Sequence, residues 1–122
     1  MVNLAKILIF ILLGSLWAEY HPENGAAFNY TQIFIQWDQI PNSVEYNLFI
    51  GNLNSGEELE LQTQSNSKLV VDFFQWNSTY SWNVKAINEY GEFYYTSENR
   101  TFSINPLPDY FPGTDNLFID ET

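Results

Sequence analysis

Tyr80-Ser81-Trp82-Asn83-Val84-Lys85-Ala86-Ile87-Asn88, closed by Tyr90-Gly91-Glu92, is the stretch that decides the fold. Its apolar residues Tyr80, Trp82, Val84 and Ala86 fall at every second position, with polar Ser81, Asn83 and Lys85 between them. Side chains of a strand point alternately to opposite faces, so this period puts one face in a core and leaves the other in water. A helix would repeat its apolar side chains at three and four residues instead. Asn88-Glu89-Tyr90-Gly91 then reads as a hairpin turn, and Phe93 to Ile104 as the closing strand.

The same period recurs upstream. Ile33, Ile35 and Trp37 alternate with Phe34 and Gln36, and Tyr46, Leu48 and Ile50 form a second run beyond the turn Ile40-Pro41-Asn42-Ser43. After the break at Gly51, Asn52, Asn54, Ser55 and Gly56, the polar set Glu58, Glu60 and Gln62 alternates with Leu59, Leu61 and Thr63. This reads as an edge strand whose charges oppose pairing with another chain. Beyond Ser65-Asn66-Ser67, Leu69 and Val71 are expected to face the core with Val70 opposite, and Phe74 to Thr79 crosses to the next strand. The total is about six or seven strands, without a helix of useful length, in one all-β domain.

Composition agrees. The 122 residues carry 8 Tyr, 10 Phe and 4 Trp, flat side chains that suit a pleated surface, and 45% hydrophobic residues, enough apolar area for a core. Four Lys and Arg against 15 Asp and Glu give a net charge of -11, which repels phosphate backbones, so no nucleic-acid partner is expected. The absence of cysteine removes disulfides, thiolate chemistry and Cys-ligated metals.

Met1 to Lys6 carry one positive charge, and an apolar run follows from Ile7 to Trp17. That is the layout of a signal peptide over residues 1–18, with cleavage after Ala18. The run is well short of the roughly 20 residues needed to span a membrane, so no stable insertion is expected after cleavage. The chain then divides into a lead-in and first strand (19–30), the remainder of the domain (31–104), and an acidic, Pro-containing tail or linker (105–122). A secreted or cell-surface location follows, or the periplasm in a bacterial source.

Pro22-Glu23-Asn24-Gly25 at the opening, Trp37 in the second strand, Tyr46 in the third, and the run from Tyr80 to Glu92 together resemble a fibronectin type III domain over residues 21–104. The resemblance implies a two-sheet antiparallel sandwich of about seven strands, of the immunoglobulin-like kind. It also implies a core of Trp37, Tyr46, Leu69, Val71, Phe74, Trp82, Val84 and Ala86, and a Tyr80 hydroxyl that ties the crossover loop back to the backbone. An immunoglobulin domain proper would carry a cysteine pair. A cytokine-receptor domain would carry Trp-Ser-x-Trp-Ser or paired cysteines, and this chain has neither.

Little in the sequence carries chemistry. His21 is the only histidine, beside the cleavage site, and one imidazole without cysteine closes neither a triad nor a metal site. Glu57, Glu58 and Glu60 form the densest acidic cluster, which is also what a charged edge strand requires. No Asp-x-Asp-x-Asp-Gly calcium loop is present. No catalytic residue, metal or cofactor is therefore assigned. Asn29-Tyr30-Thr31, Asn77-Ser78-Thr79 and Asn99-Arg100-Thr101 are glycosylation triplets, read through Asn29, Asn77 and Asn99.

With Tyr46 and Trp82 inward, Phe49 and Ile87 are expected on the outer face of the same sheet, joined by Tyr94 or its neighbours Phe93 and Tyr95. Such a patch either holds a partner or is covered by Tyr110, Phe111, Leu117 and Phe118 of the tail. The expected function is a non-enzymatic extracellular binding or adhesion module with a protein or glycan ligand. The alternatives are a spacer or fragment of a longer surface protein and, as a weaker reading, a carboxylate-based glycan hydrolase or its accessory domain.

Overall fold

The computed structural model describes residues 20–109. The segment read as a signal peptide (1–18) and the aromatic tail residues Tyr110, Phe111, Leu117 and Phe118 lie outside the described residues. Eight strands are present there: β1 (Ala26–Phe28), β2 (Ile33–Gln36), β3 (Glu45–Asn52), β4 (Glu58–Thr63), β5 (Ser67–Val70), β6 (Ser78–Ile87), β7 (Phe93–Thr96) and β8 (Arg100–Ile104). Six form a large sheet in the order β1-β8-β6-β3-β4, with β7 also bonded to β6, while β2 and β5 pair as a second, smaller sheet. All pairs are antiparallel except β1 with β8.

Register explains why the alternation read from the sequence makes a core. Tyr46 opposes Ala86, Leu48 opposes Val84 and Ile50 opposes Trp82. Directly opposed residues share a face, so both apolar rows of the two central strands turn to the same side. Ile33, Ile35, Trp37 and Val70 meet them from the small sheet, with Phe74, Tyr80, Phe102 and Ile104 completing one buried cluster. Its aromatic end is a stack of Tyr80 on Phe102 at 5.5 Å, with the Phe74 ring edge-on to Tyr80 at 4.9 Å.

Tyr80 also organises two loops. Its hydroxyl oxygen accepts from the Gln75 backbone N–H at 2.7 Å, tying the crossover loop to β6. It accepts again from Asn52 Nδ2 at 3.2 Å. The other end of the Asn52 amide caps the β3–β4 turn, its Oδ1 accepting from Asn54 N at 2.8 Å and Ser55 N at 3.1 Å. Gly56 supplies the positive φ of +82° that this turn needs.

Two expectations are corrected. Val70 is the buried residue of β5, while Leu69 and Val71 are 54% and 43% exposed. The cause is pairing: Val70 opposes the buried Ile33, and Leu69 opposes the exposed Phe34. A shift of one residue exchanges the faces of a whole strand.

The closing strand is in fact two, which makes the total eight. Thr96 opposes Lys85 and Arg100 opposes Trp82, so Ser97, Glu98 and Asn99 face only Asn83 and Val84 on β6. One residue is in excess, as in a bulge. Ser97 closes the gap, its backbone N–H donating to Val84 O at 2.8 Å and its hydroxyl accepting from Val84 N at 2.9 Å.

Candidate functional site

The outer face of the large sheet carries the residues named from the sequence. On β3, Asn47, Phe49 and Gly51 lie between Gln62, Glu60 and Glu58 of β4 on one side and Lys85, Asn83 and Ser81 of β6 on the other. Phe49 is half-buried, as its outward phase requires on a crowded face. The Lys85 ammonium sits 5.1 Å from the Phe49 ring centroid and 5.5 Å from that of Phe93, holding a cation between two rings. Asn47 is buried beside them, donating through Nδ2 to Glu60 Oε2 at 3.2 Å.

Ile87 is covered where open surface was expected. It keeps the phase opposite to Ala86, facing Glu45 across the β3–β6 ladder and standing outside the core cluster, yet it is only 7% exposed. Glu45 and Phe93 flank it on the neighbouring strands, and its carbonyl accepts from Val44 N at 2.9 Å. It supports the surface from beneath.

Tyr94 does reach the surface, at 40% exposure, with its hydroxyl donating to the Pro41 carbonyl. Together with Val44, Tyr90 and Asn88 it lines a cleft of about 460 Å³. Around it, every residue of β7 is exposed. Phe93 and Tyr95 stand at 58% and 40%, and Tyr90 at the hairpin tip at 78%. The hairpin that carries them is well held: Asn88 Oδ1 accepts from Tyr90 N at 2.9 Å and Glu92 N at 3.0 Å, and Gly91 takes a φ of +80°. Along one side β7 bonds to β6, and along the other it meets no strand among the described residues.

The remaining candidates are spread over the molecule. Asn29, Asn77 and Asn99 are all exposed. Asn29 Oδ1 accepts from Asn105 Nδ2 at 2.8 Å and Asn77 N donates to Asn105 O at 3.1 Å, so these two share one end of the sandwich. Asn99 stands apart from them, its Oδ1 accepting from Asn83 Nδ2 at 2.8 Å. His21 is exposed with its ring edge-on to Phe28, and Glu57, Glu58 and Glu60 are exposed along the β4 hairpin. Among the described residues no three His, Asp or Glu side chains gather as a metal-holding set.

One feature of this end of the sheet was not readable from spacing. The Arg100 guanidinium lies 3.6 Å from the Tyr20 ring centroid, and Tyr20 packs on Trp82 at 6.2 Å. Burial, then a hydrogen bond with Tyr95, pushes the Tyr20 phenol up to about 12. The lead-in is thus part of the domain, since His21 and Gln36 also exchange backbone hydrogen bonds at 2.9 and 2.8 Å. No protein-family model matches this chain, and no curated protein is similar to it.

Proposed function

We propose that the chain is an exported, non-enzymatic binding module of the fibronectin type III kind that takes a protein partner by strand addition at β7. The family reading is supported by the strand order β4-β3-β6-β8 facing β2-β5 and by the tie between the Tyr80 hydroxyl and Gln75. The observation that carries the function is the side of β7 that meets no strand among the described residues, along four consecutive exposed residues Phe-Tyr-Tyr-Thr without a charge. An unpaired edge offers backbone donors and acceptors to an extended segment, and the flanking aromatics give that segment apolar contact.

Charge defines the partner. Glu89, Glu92 and Glu98 are exposed around the edge, and the chain as a whole carries -11. An extended segment of β-forming residues flanked by Lys or Arg is the matching chemistry. Selection of binders from a displayed library of random peptides tests this directly. The expected binders carry a β-forming core with basic flanks, bind more weakly as salt is raised, and lose at least about tenfold in affinity against Phe93→Ser, the size of a single aromatic anchor. Binders unaffected by both Phe93→Ser and Thr96→Pro, or none at all, would sink the proposal.

A further inference from the structure

Where β3, β4 and β6 run side by side on the outer face of the large sheet, a groove of about 250 Å³ opens in the surface. Its floor is almost bare backbone. Gly51 of β3 is the cross-strand partner of Ser81 on β6, and a Cβ built on Gly51 would meet only Ser81 Oγ, at 3.6 Å. Glycine inside a strand weakens it and marks a place where another group approaches the backbone closely. Gly51 takes no positive φ, so the turn chemistry that explains Gly56 and Gly91 does not explain it.

The walls differ in chemistry. The half-buried Phe49 ring supplies an apolar side, with the Lys85 ammonium, also in the lining, 5.1 Å from its centroid. Opposed to Gly51 on β4 stands the Glu58 carboxylate. The Asn83 and Asn99 amides, joined at 2.8 Å, line it as well, with Asn99 exposed, while Asn83 Oδ1 is itself buried and meets no donor among the described residues.

We propose that this groove binds one ring of a neutral saccharide. An aromatic face attracts the C–H face of a sugar through its quadrupole, amides read adjacent hydroxyls with both donor and acceptor, and a carboxylate accepts from a third. Lys85 and Glu58 both line the groove and offset each other, and the overall charge of -11 disfavours an anionic ligand. The groove is smaller than the about 300–1,000 Å³ of sites for drug-sized molecules, which limits it to a short ligand or a single terminal residue. It shares no residue with β7, so it stands or falls separately from strand addition.

The test is an NMR titration of ¹⁵N-labelled protein, made in bacteria so that Asn99 is bare, with the methyl glycosides of glucose, galactose, mannose and N-acetylglucosamine. At least one is expected to give saturable shifts at the Gly51 amide and the Asn83 and Asn99 side-chain amides, with a Kd on the order of 1 mM. Gly51→Val, which fills the floor, abolishes them. Glu58→Ala, on the exposed rim of an edge strand, weakens binding several-fold and serves if the valine variant fails to fold. The idea is overturned if no glycoside gives saturable shifts, if glucuronate binds as tightly as the neutral sugars, or if the shifts survive Gly51→Val in the folded variant. Where the valine variant does not fold, shifts unchanged in Glu58→Ala overturn it equally.

Discussion

The two hairpins of the large sheet, β3–β4 and β6–β7, are built alike at the turn and unlike along the strand. Each turn is closed by an asparagine Oδ1 accepting two backbone N–H groups, Asn52 in the first and Asn88 in the second, and each has a glycine at positive φ. Each ends in an edge strand. On β4 the exposed positions are Glu58, Glu60 and Gln62, while Leu59 and Leu61 pack against the core. On β7 all four residues are exposed and none is charged. Charges pointing out from an edge raise the cost of bringing another strand beside it, and their absence leaves the backbone free to pair. Among the described residues the sheet is therefore charged along β4 and uncharged along β7.

The difference extends to how the turns are anchored. Asn52 is buried and spans from its own turn to the Tyr80 hydroxyl, whereas the Asn88 side chain works at the surface. Asn52→Ala should therefore have the largest effect, a loss of about 3 kcal/mol in denaturant unfolding, because it removes the cap from two turn N–H groups, breaks the buried bond to the Tyr80 hydroxyl and leaves a hole at a buried site. A loss equal to that of Asn88→Ala, about 1 kcal/mol, would show that burial adds nothing to the cap.

Gly91→Ala comes next. Nothing lies within 4 Å of the new Cβ, so only the φ of +80° opposes it, and the expected cost is about 1–2 kcal/mol. Because the loss falls on the β6–β7 turn, hydrogen exchange should speed up in β7 ahead of β4; uniform acceleration would contradict a locally held edge.

Removing the guard on β4 tests the edge comparison itself. The double change Glu58→Val and Glu60→Val should promote self-association at high protein concentration, seen by sedimentation, at a cost of about 1 kcal/mol in stability because the buried Asn47 amide loses its Glu60 acceptor. A protein that stays monomeric would show that charge is not what protects this edge.

The smallest effect concerns Tyr20, which bridges the lead-in to the β7–β8 end. Its phenol ordinarily titrates at 10.0 and is raised to about 12 in the folded protein. The unfolded chain then gives up this proton first, so the contribution is complete below pH 10 and is lost as pH rises towards 12. Tyr20→Phe should flatten the fall in stability across that window; an unchanged slope would assign it to other tyrosines.

Much of this surface could be named without a structure. Phe49 was placed outward from the phase of Tyr46, Leu48 and Ile50, and Asn99 and Tyr94 were named from a triplet and from a run of aromatics. Asn83 and Gly51 were not, because their interest lies in what stands across from them. The partner of Gly51 is Ser81, thirty residues away, and no local pattern indicates that two small residues meet. Ile87 has the outward phase read for it but is buried there, because alternation gives the direction of a side chain and not what neighbouring strands lay over it.

The alternation of Tyr80, Trp82, Val84 and Ala86, and of Tyr46, Leu48 and Ile50, by itself determined that these strands have one dry face and which residues lie on it. That follows because the direction of a side chain along one strand is a property of that strand alone. The phase of β5, the division of β7 from β8, the burial of Ile87 and the groove over Gly51 were decided only by tertiary pairing. Each depends on which residue stands opposite, and register is set between strands, by the turns and partners that align them.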